Sequence, residues 1–527
     1  MKDKRNAVRY GEAAQQKEKD EAGAAEETTL AEARIADARP RLRRGTRRLW
    51  TSGVAVMAGA ALLSKFIGVF QKIPLQNLAG DRVFGIYNAV YPFYQLAAVL
   101  ATAGLPTAVS LLIAERLRNG NDPEAVRRTL YAAMLLLGLT GITAFGLMWA
   151  GAGHVARWIG DAETARAVRA VSVALLLAPL VAALRGYAQG LGRMPLSAGS
   201  QVAEQTIRVA VMLLALAAGW SAGWSDAEIA AGVMSGSAAG ACASLLVLAG
   251  YSWCGRSRKR LAREPGAIRA EMKRLAAIAL PVALGAVVVP ALGVVDAFTV
   301  PRLLKSGGLA EAEAMAMFGI YSRAQPLVQL VVMVAGAAAA ALVPGLALAR
   351  LRGAYGQLRL QLSISERAAW GIGAAAAVGL ALLAEPLNVM LYADAAGTAA
   401  FALVGCTALA GSVNAVTAPA LQAMGAVRAP AVLLLVAALL KGALNVALVP
   451  SYGVDGAALA GVAALSAVAL FGAGMLRRAV RKASGGAGSE RAVRPRPVRA
   501  AAGIVFALAV MAAALLVAER ALDAALG

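Results

Sequence analysis

Thirteen apolar stretches succeed one another along the chain, at about 52–72, 86–114, 129–150, 170–189, 200–220, 228–252, 275–300, 318–346, 368–384, 398–424, 429–449, 457–476 and 500–519. About twenty apolar residues in a helix cross the roughly 30 Å of a bilayer's hydrocarbon. There, only helices and closed barrels satisfy their own backbone polar groups. The stretches therefore read as an all-α polytopic membrane protein. Composition agrees: of 527 residues, 59% are hydrophobic and only 16% charged, against about 25% charged in soluble domains.

The charges lie mainly between the stretches. Residues 1–49 carry 13 basic and 9 acidic residues without apolar periodicity, so they read as a disordered tail. That tail ends in "RPRLRRGTRRLW", six arginines without an acid, which suits the anionic lipids of an inner leaflet. Alternate loops at 115–128, 190–199, 253–274, 347–367, 425–430 and 477–499 hold 26 Lys and Arg, while the opposite loops hold six. The positive-inside rule then puts the N-terminus in the cytoplasm of a cell membrane. Topology accounts for the net charge of +22, and nucleic acid is not an expected partner.

One phrase occurs twice. Residues 84–96 read "FGIYNAVYPFYQL" and residues 318–330 read "FGIYSRAQPLVQL". The offset of 234 also carries Arg116-Leu117-Arg118 onto Arg350-Leu351-Arg352. Each copy opens the second span of a six-span half, so both halves enter the membrane in the same sense. Parallel repeats place a substrate path between them. The expected architecture is two six-helix lobes around a central cleft, plus one extra C-terminal helix. Its segments are the tail 1–49, a first lobe 50–252, a basic linker 253–274, a second lobe 275–476, a basic loop 477–499, and a thirteenth helix with a short outer tail, 500–527.

Ionisable residues inside the spans are costly, and usually face a bundle interior or wet cavity. They are Lys65, Arg185, Glu204, Arg208, Asp296, Arg323 and Lys441. Five basic residues against two acidic would give a shared cleft a charge of +3 and a preference for anions. Lys65, Arg185, Arg208, Arg323 and Lys441, with Asn445, are the candidate substrate contacts. Glu204 and Asp296 are candidates for ion coupling or structural pairing. Glu204 and Arg208, four apart, can pair along one helix. Arg185 and Arg323 can snorkel to an interface, and Asp296 can clamp Arg323 of the next span. Pro106 in "TAGLPTAVS" removes a helix hydrogen bond, which makes a hinge or a static kink. Asn88, Asn414 and Asn445 can equally serve as polar contacts between helices.

Other chemistry is missing from the chain. No Gly-Lys dipeptide occurs, hence no P-loop. Cys242, Cys254, Cys406 and His154 have no metal-ligand spacing, and no catalytic constellation surrounds His154. Neither an enzyme, nor a metal, nor a cofactor is expected.

The stretches "LSKFIGVFQKIPLQNLAG", "FGIYNAVYPFYQLAAVLATAGLPTAVSLLIAER" and "RGYAQGLGRMPLSAGSQVAEQTIRV" resemble the stage V sporulation protein B group. "KGALNVALVPSYGVDGAALA", residues 441–460, resembles polysaccharide flippases more widely. Over about residues 50–480 the chain is thus similar to the multidrug/oligosaccharidyl-lipid/polysaccharide exporter superfamily, in its lipid II flippase branch. The resemblance implies two six-helix lobes that carry undecaprenyl-pyrophosphate-linked sugars from the inner to the outer leaflet. Lys65 matches a basic position of the family's first helix, and Gln71 stands where the family has a second arginine. Family members commonly have fourteen spans, against thirteen read here.

The expected function is a flippase for a lipid II-like peptidoglycan precursor, in vegetative growth or sporulation, with cell-wall synthesis proteins as possible partners. Alternatives are a flippase for another lipid-linked polysaccharide unit and a cation-coupled multidrug exporter. A non-transporting scaffold in a cell-wall complex is a further reading. A glycosyltransferase is disfavoured, because no carboxylate cluster sits in an outer loop.

Overall fold

The computed structural model describes residues 53–102, 104–118, 122–254, 265–426 and 428–483. The charged tail, most of the basic linker and the expected thirteenth helix lie outside them. Every regular element among the described residues is an α-helix. In chain order they are α1 (Gly53–Phe70), α2 (Lys72–Thr102), α3 (Leu105–Arg118), α4 (Pro123–Ala150), α5 (Ala152–Ile159), α6 (Thr164–Ser172), α7 (Ala174–Gly190), α8 (Met194–Ala222) and α9 (Asp226–Cys254). After the linker come α10 (Pro265–Ala286), α11 (Val288–Ser306), α12 (Glu311–Ser322), α13 (Gln325–Leu351), α14 (Tyr355–Leu382), α15 (Ala384–Tyr392), α16 (Thr398–Ala423) and α17 (Ala429–Ala483). The compact unit begins at Ala60.

Among the described residues, eight helices are long and apolar enough to cross a membrane, or nine if the bent pair Tyr355–Leu382 and Ala384–Tyr392 is one span. The expected count was higher because two stretches each take in two of the expected spans. Ala55–Arg118 takes in the successive helices α1, α2 and α3, and Ala429–Ala483 is one 55-residue element, each at least twice the length of one crossing. Inside them single glycines turn the chain: Gly80 has φ 79° and Gly453 φ 56°, a backbone region that side chains with a Cβ avoid.

Pro106 does not sit in mid-helix as expected. Gly104 has φ 69°, and Pro106 is the second residue of the new helix α3, where its missing N–H leaves no bond unmade. Asp122 caps α4 by accepting from the backbone N–H groups of Glu124 and Ala125 at 2.9 and 3.2 Å. Asp122→Ala should lower stability by about 1 kcal/mol, read as a small drop in the thermal midpoint in detergent.

The first half packs through α8 on α9, α4 and α3 on α7, and α6 on α9. The second packs through α11, α14 and α13 around α16 and α17. The helix pair at the expected seventh span divides between the halves. Leu275 and Ala279 of α10 are buried with α3 and α4 of the first half, and Glu271 accepts from Arg116 at 2.6 Å and Thr129 at 3.0 Å. Beyond Val287, α11 packs on α17 and α2. The two halves meet where α2 crosses α12, and the crossing point is the repeated phrase. A Cβ placed on Gly85 would overlap the Met315 carbonyl oxygen and lie 3.2 Å from the Gly319 nitrogen. One on Gly319 would overlap the Asp81 carbonyl oxygen and lie 3.1 Å from the Gly85 nitrogen. Both pairs obey the offset of 234, so the repeat axis passes through two glycines whose helices touch backbone to backbone.

Candidate functional site

Beyond that crossing the two halves diverge, and between them lies a cavity of about 590 Å³. Its lining follows helical spacing. Helix α1 and the residues after it present Ser64, Lys65, Gly68, Gln71 and Lys72, and α2 presents Tyr87, Asn88, Tyr91, Pro92 and Gln95. Helix α8 presents Gln201, Glu204, Gln205 and Arg208, beside Arg185 of α7. The second half contributes Gly293 of α11, Gln325, Val328, Gln329 and Val332 of α13, and Val404 and Thr407 of α16. Steps of three and four residues put each set on one face of its helix. Polar stripes on otherwise apolar helices thus turn toward one space.

Four cations and one carboxylate line this space, and all five come from the first half. Glu204 is held between Arg185 at 2.7 Å and Arg208 at 3.1 Å. Arg185 also donates to Ser200 and Ser244, each at 3.0 Å. Arg208 reaches the Tyr91 hydroxyl at 3.3 Å, while its buried Nε has no partner among the described residues. Lys72 donates to Asn88 at 2.9 Å. Gln71 donates to the Tyr87 hydroxyl at 3.0 Å and accepts from Gln205 at 3.3 Å, so its amide is tied into the wall. Tyr87 stacks on Tyr91 with centroids 5.4 Å apart. Lys65 is exposed to the cavity and makes no protein hydrogen bond among the described residues.

The structure brings Lys65, Arg185, Glu204 and Arg208 together, as one shared cleft requires. It places the other four candidates elsewhere. Lys441, expected as a substrate contact, is buried against Asp296 at 2.5 Å. Asp296 also accepts from Tyr321 at 3.1 Å and Asn445 at 3.3 Å, and Asn445 donates to Thr299 at 2.8 Å. This polar cluster lies within the second half and does not line the cavity.

Arg323 is not Asp296's partner. It is 0% exposed and sits at the closed end, bound to Asp81 at 2.6 Å and Asp394 at 2.6 Å. Its guanidinium also reaches the Asn388 side chain and the Ala396 carbonyl, each at 3.3 Å, and lies over the Tyr392 ring at 5.4 Å. Its hydrogen bonds hold the Asp394 carboxyl, in the loop after α15, below the ordinary carboxylate range. Around it the closed end carries further links between the halves, such as Asn77 donating to the Leu391 carbonyl at 2.9 Å.

Sequence reasoning missed Lys72, the two stacked tyrosines and the glutamines. The signal was the spacing of Gln201, Glu204, Gln205 and Arg208, and of Gln325 and Gln329.

A family described as polysaccharide biosynthesis protein matches residues 50–349. The chain is 33% identical over 430 residues to an uncharacterized membrane protein of Bacillus subtilis, YabM, covering 81% of this chain and 80% of that one. It is 27% identical over 449 residues to the Bacillus subtilis lipid II flippase MurJ, covering 81% and 82%. Among solved structures, an inward-facing multidrug resistance MATE family transporter of the same exporter superfamily superposes with TM-score 0.65 at 15% identity. That match covers 82% of this chain and 99% of that one, and at such identity it shows the fold alone.

Proposed function

The chain belongs to the polysaccharide biosynthesis protein family, and from that premise we propose that it is a flippase carrying an undecaprenyl-diphosphate-linked, lipid II-like peptidoglycan precursor from the inner to the outer leaflet. The observation that carries this reading is the cavity between the halves, closed at the Gly85–Gly319 crossing and lined by Lys65, Lys72, Arg185 and Arg208 against Glu204 alone. Charge-assisted hydrogen bonds from lysine and arginine are the strong contacts to phosphate oxygens. In a low-dielectric enclosure a net +3 lining favours a diphosphate over a neutral or cationic cargo. A lipid tail can stay in the bilayer while the head group moves through the protein. With the basic loops cytoplasmic, the described state holds its outer end shut, and rocking of the halves would open it.

A multidrug exporter for cations would need a carboxylate free to meet its cargo, and Glu204 is already bound by two guanidinium groups. A diphosphate linked to another polysaccharide unit would meet the same cations. The test is therefore made on lipid II, in a bacterium depleted of its own flippases. An enzyme added outside cleaves only outward-facing lipid II, so expression of this protein should restore cleavage. Absence of cleavage, from protein shown to be folded and inserted, would overturn the lipid II assignment. Lys65→Ala should slow exposure by about tenfold or more, the worth of one charge-assisted hydrogen bond, and leave the thermal midpoint unchanged because Lys65 makes no protein hydrogen bond among the described residues.

A further inference from the structure

The two walls of the cavity differ in kind. Every ionisable lining residue lies on the first half, and the second half lines the space with Gln325, Gln329, Thr407, valines and a glycine. The side chains of Gln325 and Gln329, like those of Gln95 and Gln201 opposite, make no hydrogen bond to another described residue, so their donors and acceptors are available to cargo. Gln329 is the repeat counterpart of Gln95, at the offset of 234, and both line the cavity. The repeat thus sets an amide on each side, while only one side carries cations.

Resting on the reading above, we infer that the walls divide the head group: the first half holds the diphosphate, and Gln325 and Gln329 select an uncharged glycan portion rich in hydroxyl and acetamido groups. A carboxamide offers two donors and an acceptor with no net charge, which matches such groups in either sense. Hydroxyls drawn into the cavity lose water and need replacement partners. A second anionic group against α13 would lose its hydration without meeting a cation there. The wall therefore accepts neutral sugars and rejects acidic ones.

The test uses the purified full chain in lipid nanodiscs with three probes: farnesyl diphosphate, farnesyl-diphosphate-linked N-acetylglucosamine and farnesyl-diphosphate-linked glucuronic acid. The N-acetylglucosamine probe should bind wild type about tenfold tighter than the bare diphosphate, as two or so added neutral hydrogen bonds would give. The glucuronic acid probe should gain nothing. In Gln325→Leu/Gln329→Leu the sugar's advantage should vanish, while the bare diphosphate binds as before and so reports an intact fold. Gln329→Glu, which keeps the shape and adds a carboxylate, should weaken every diphosphate probe and the glucuronic acid probe most. Arg208→Gln should weaken all three probes alike.

Equal loss of bare and sugar-bearing probes in the double leucine variant would overturn the division of the walls. So would a glucuronic acid probe that matches the N-acetylglucosamine probe. Failure of wild type to bind the bare diphosphate would overturn the proposed function itself, and the division with it.

Discussion

Lys441→Met should be among the most destabilising single changes in the chain, and adding Asp296→Asn to it should restore most of the loss. Lys441 is 7% and Asp296 5% exposed, so the lysine's loss leaves a carboxylate in apolar surroundings. Removing one partner of a buried ion pair costs about 3–5 kcal/mol, whereas replacing both with neutral groups is often close to neutral. Asp296 would keep Tyr321 and Asn445 as donors, and an asparagine there can accept the same bonds without a charge. The expected result is a thermal midpoint that falls steeply in Lys441→Met and in Lys441→Ala, and recovers in the double variant. Transport should recover with it. A contact with cargo would behave otherwise: the single variant would keep its stability and the double variant would stay inactive. That pattern would return Lys441 to the cavity where sequence reasoning had placed it.

The contrast between Lys441 and Lys65 shows what the sequence could and could not reveal. A cation inside an apolar helix has to face something polar, and that inference holds for every charged residue picked from the spans. Which partner it faces depends on helix packing. Arg323 finds Asp81, 242 positions away, and Asp394, 71 positions away, and neither carboxylate lay inside an expected span. Glu204 and Arg208 were legible because their pairing is local. The apolar stretches and the duplicated phrase gave the helices and the two halves because both are periodic signals. The glutamines were not legible one at a time, since an amide in a membrane helix is as often a contact between helices as a contact with cargo. Only the shared face of Gln201, Glu204, Gln205 and Arg208 marks them as lining. The break before Pro106 and the turns at Gly80 and Gly453 each depend on one backbone torsion pair, which hydrophobic periodicity does not encode.

Gly85→Val and Gly319→Val should each abolish transport while leaving both halves folded. At the crossing, any Cβ on either glycine overlaps a backbone carbonyl oxygen of the opposing helix. A side chain can turn aside from a clash, but α2 and α12 would have to separate as rods. Overpacking of this sort costs about 1–3 kcal/mol or more where relaxation is blocked. That cost falls only on the state in which the helices touch. On the proposed rocking mechanism the population shifts toward the state open at this end, by about tenfold for every 1.4 kcal/mol. Spin labels at Trp158→Cys and Ser306→Cys, on the two halves at this end, should report a longer mean distance in either valine variant, in a background without the native cysteines. Gly146→Val is the control, because a Cβ there meets nothing within 4 Å, and it should change neither distance nor transport. The same duplicated glycine that reveals the repeat thus sets how closely the halves can shut. An unchanged distance together with normal transport in Gly85→Val would mean that this crossing takes no part in the cycle.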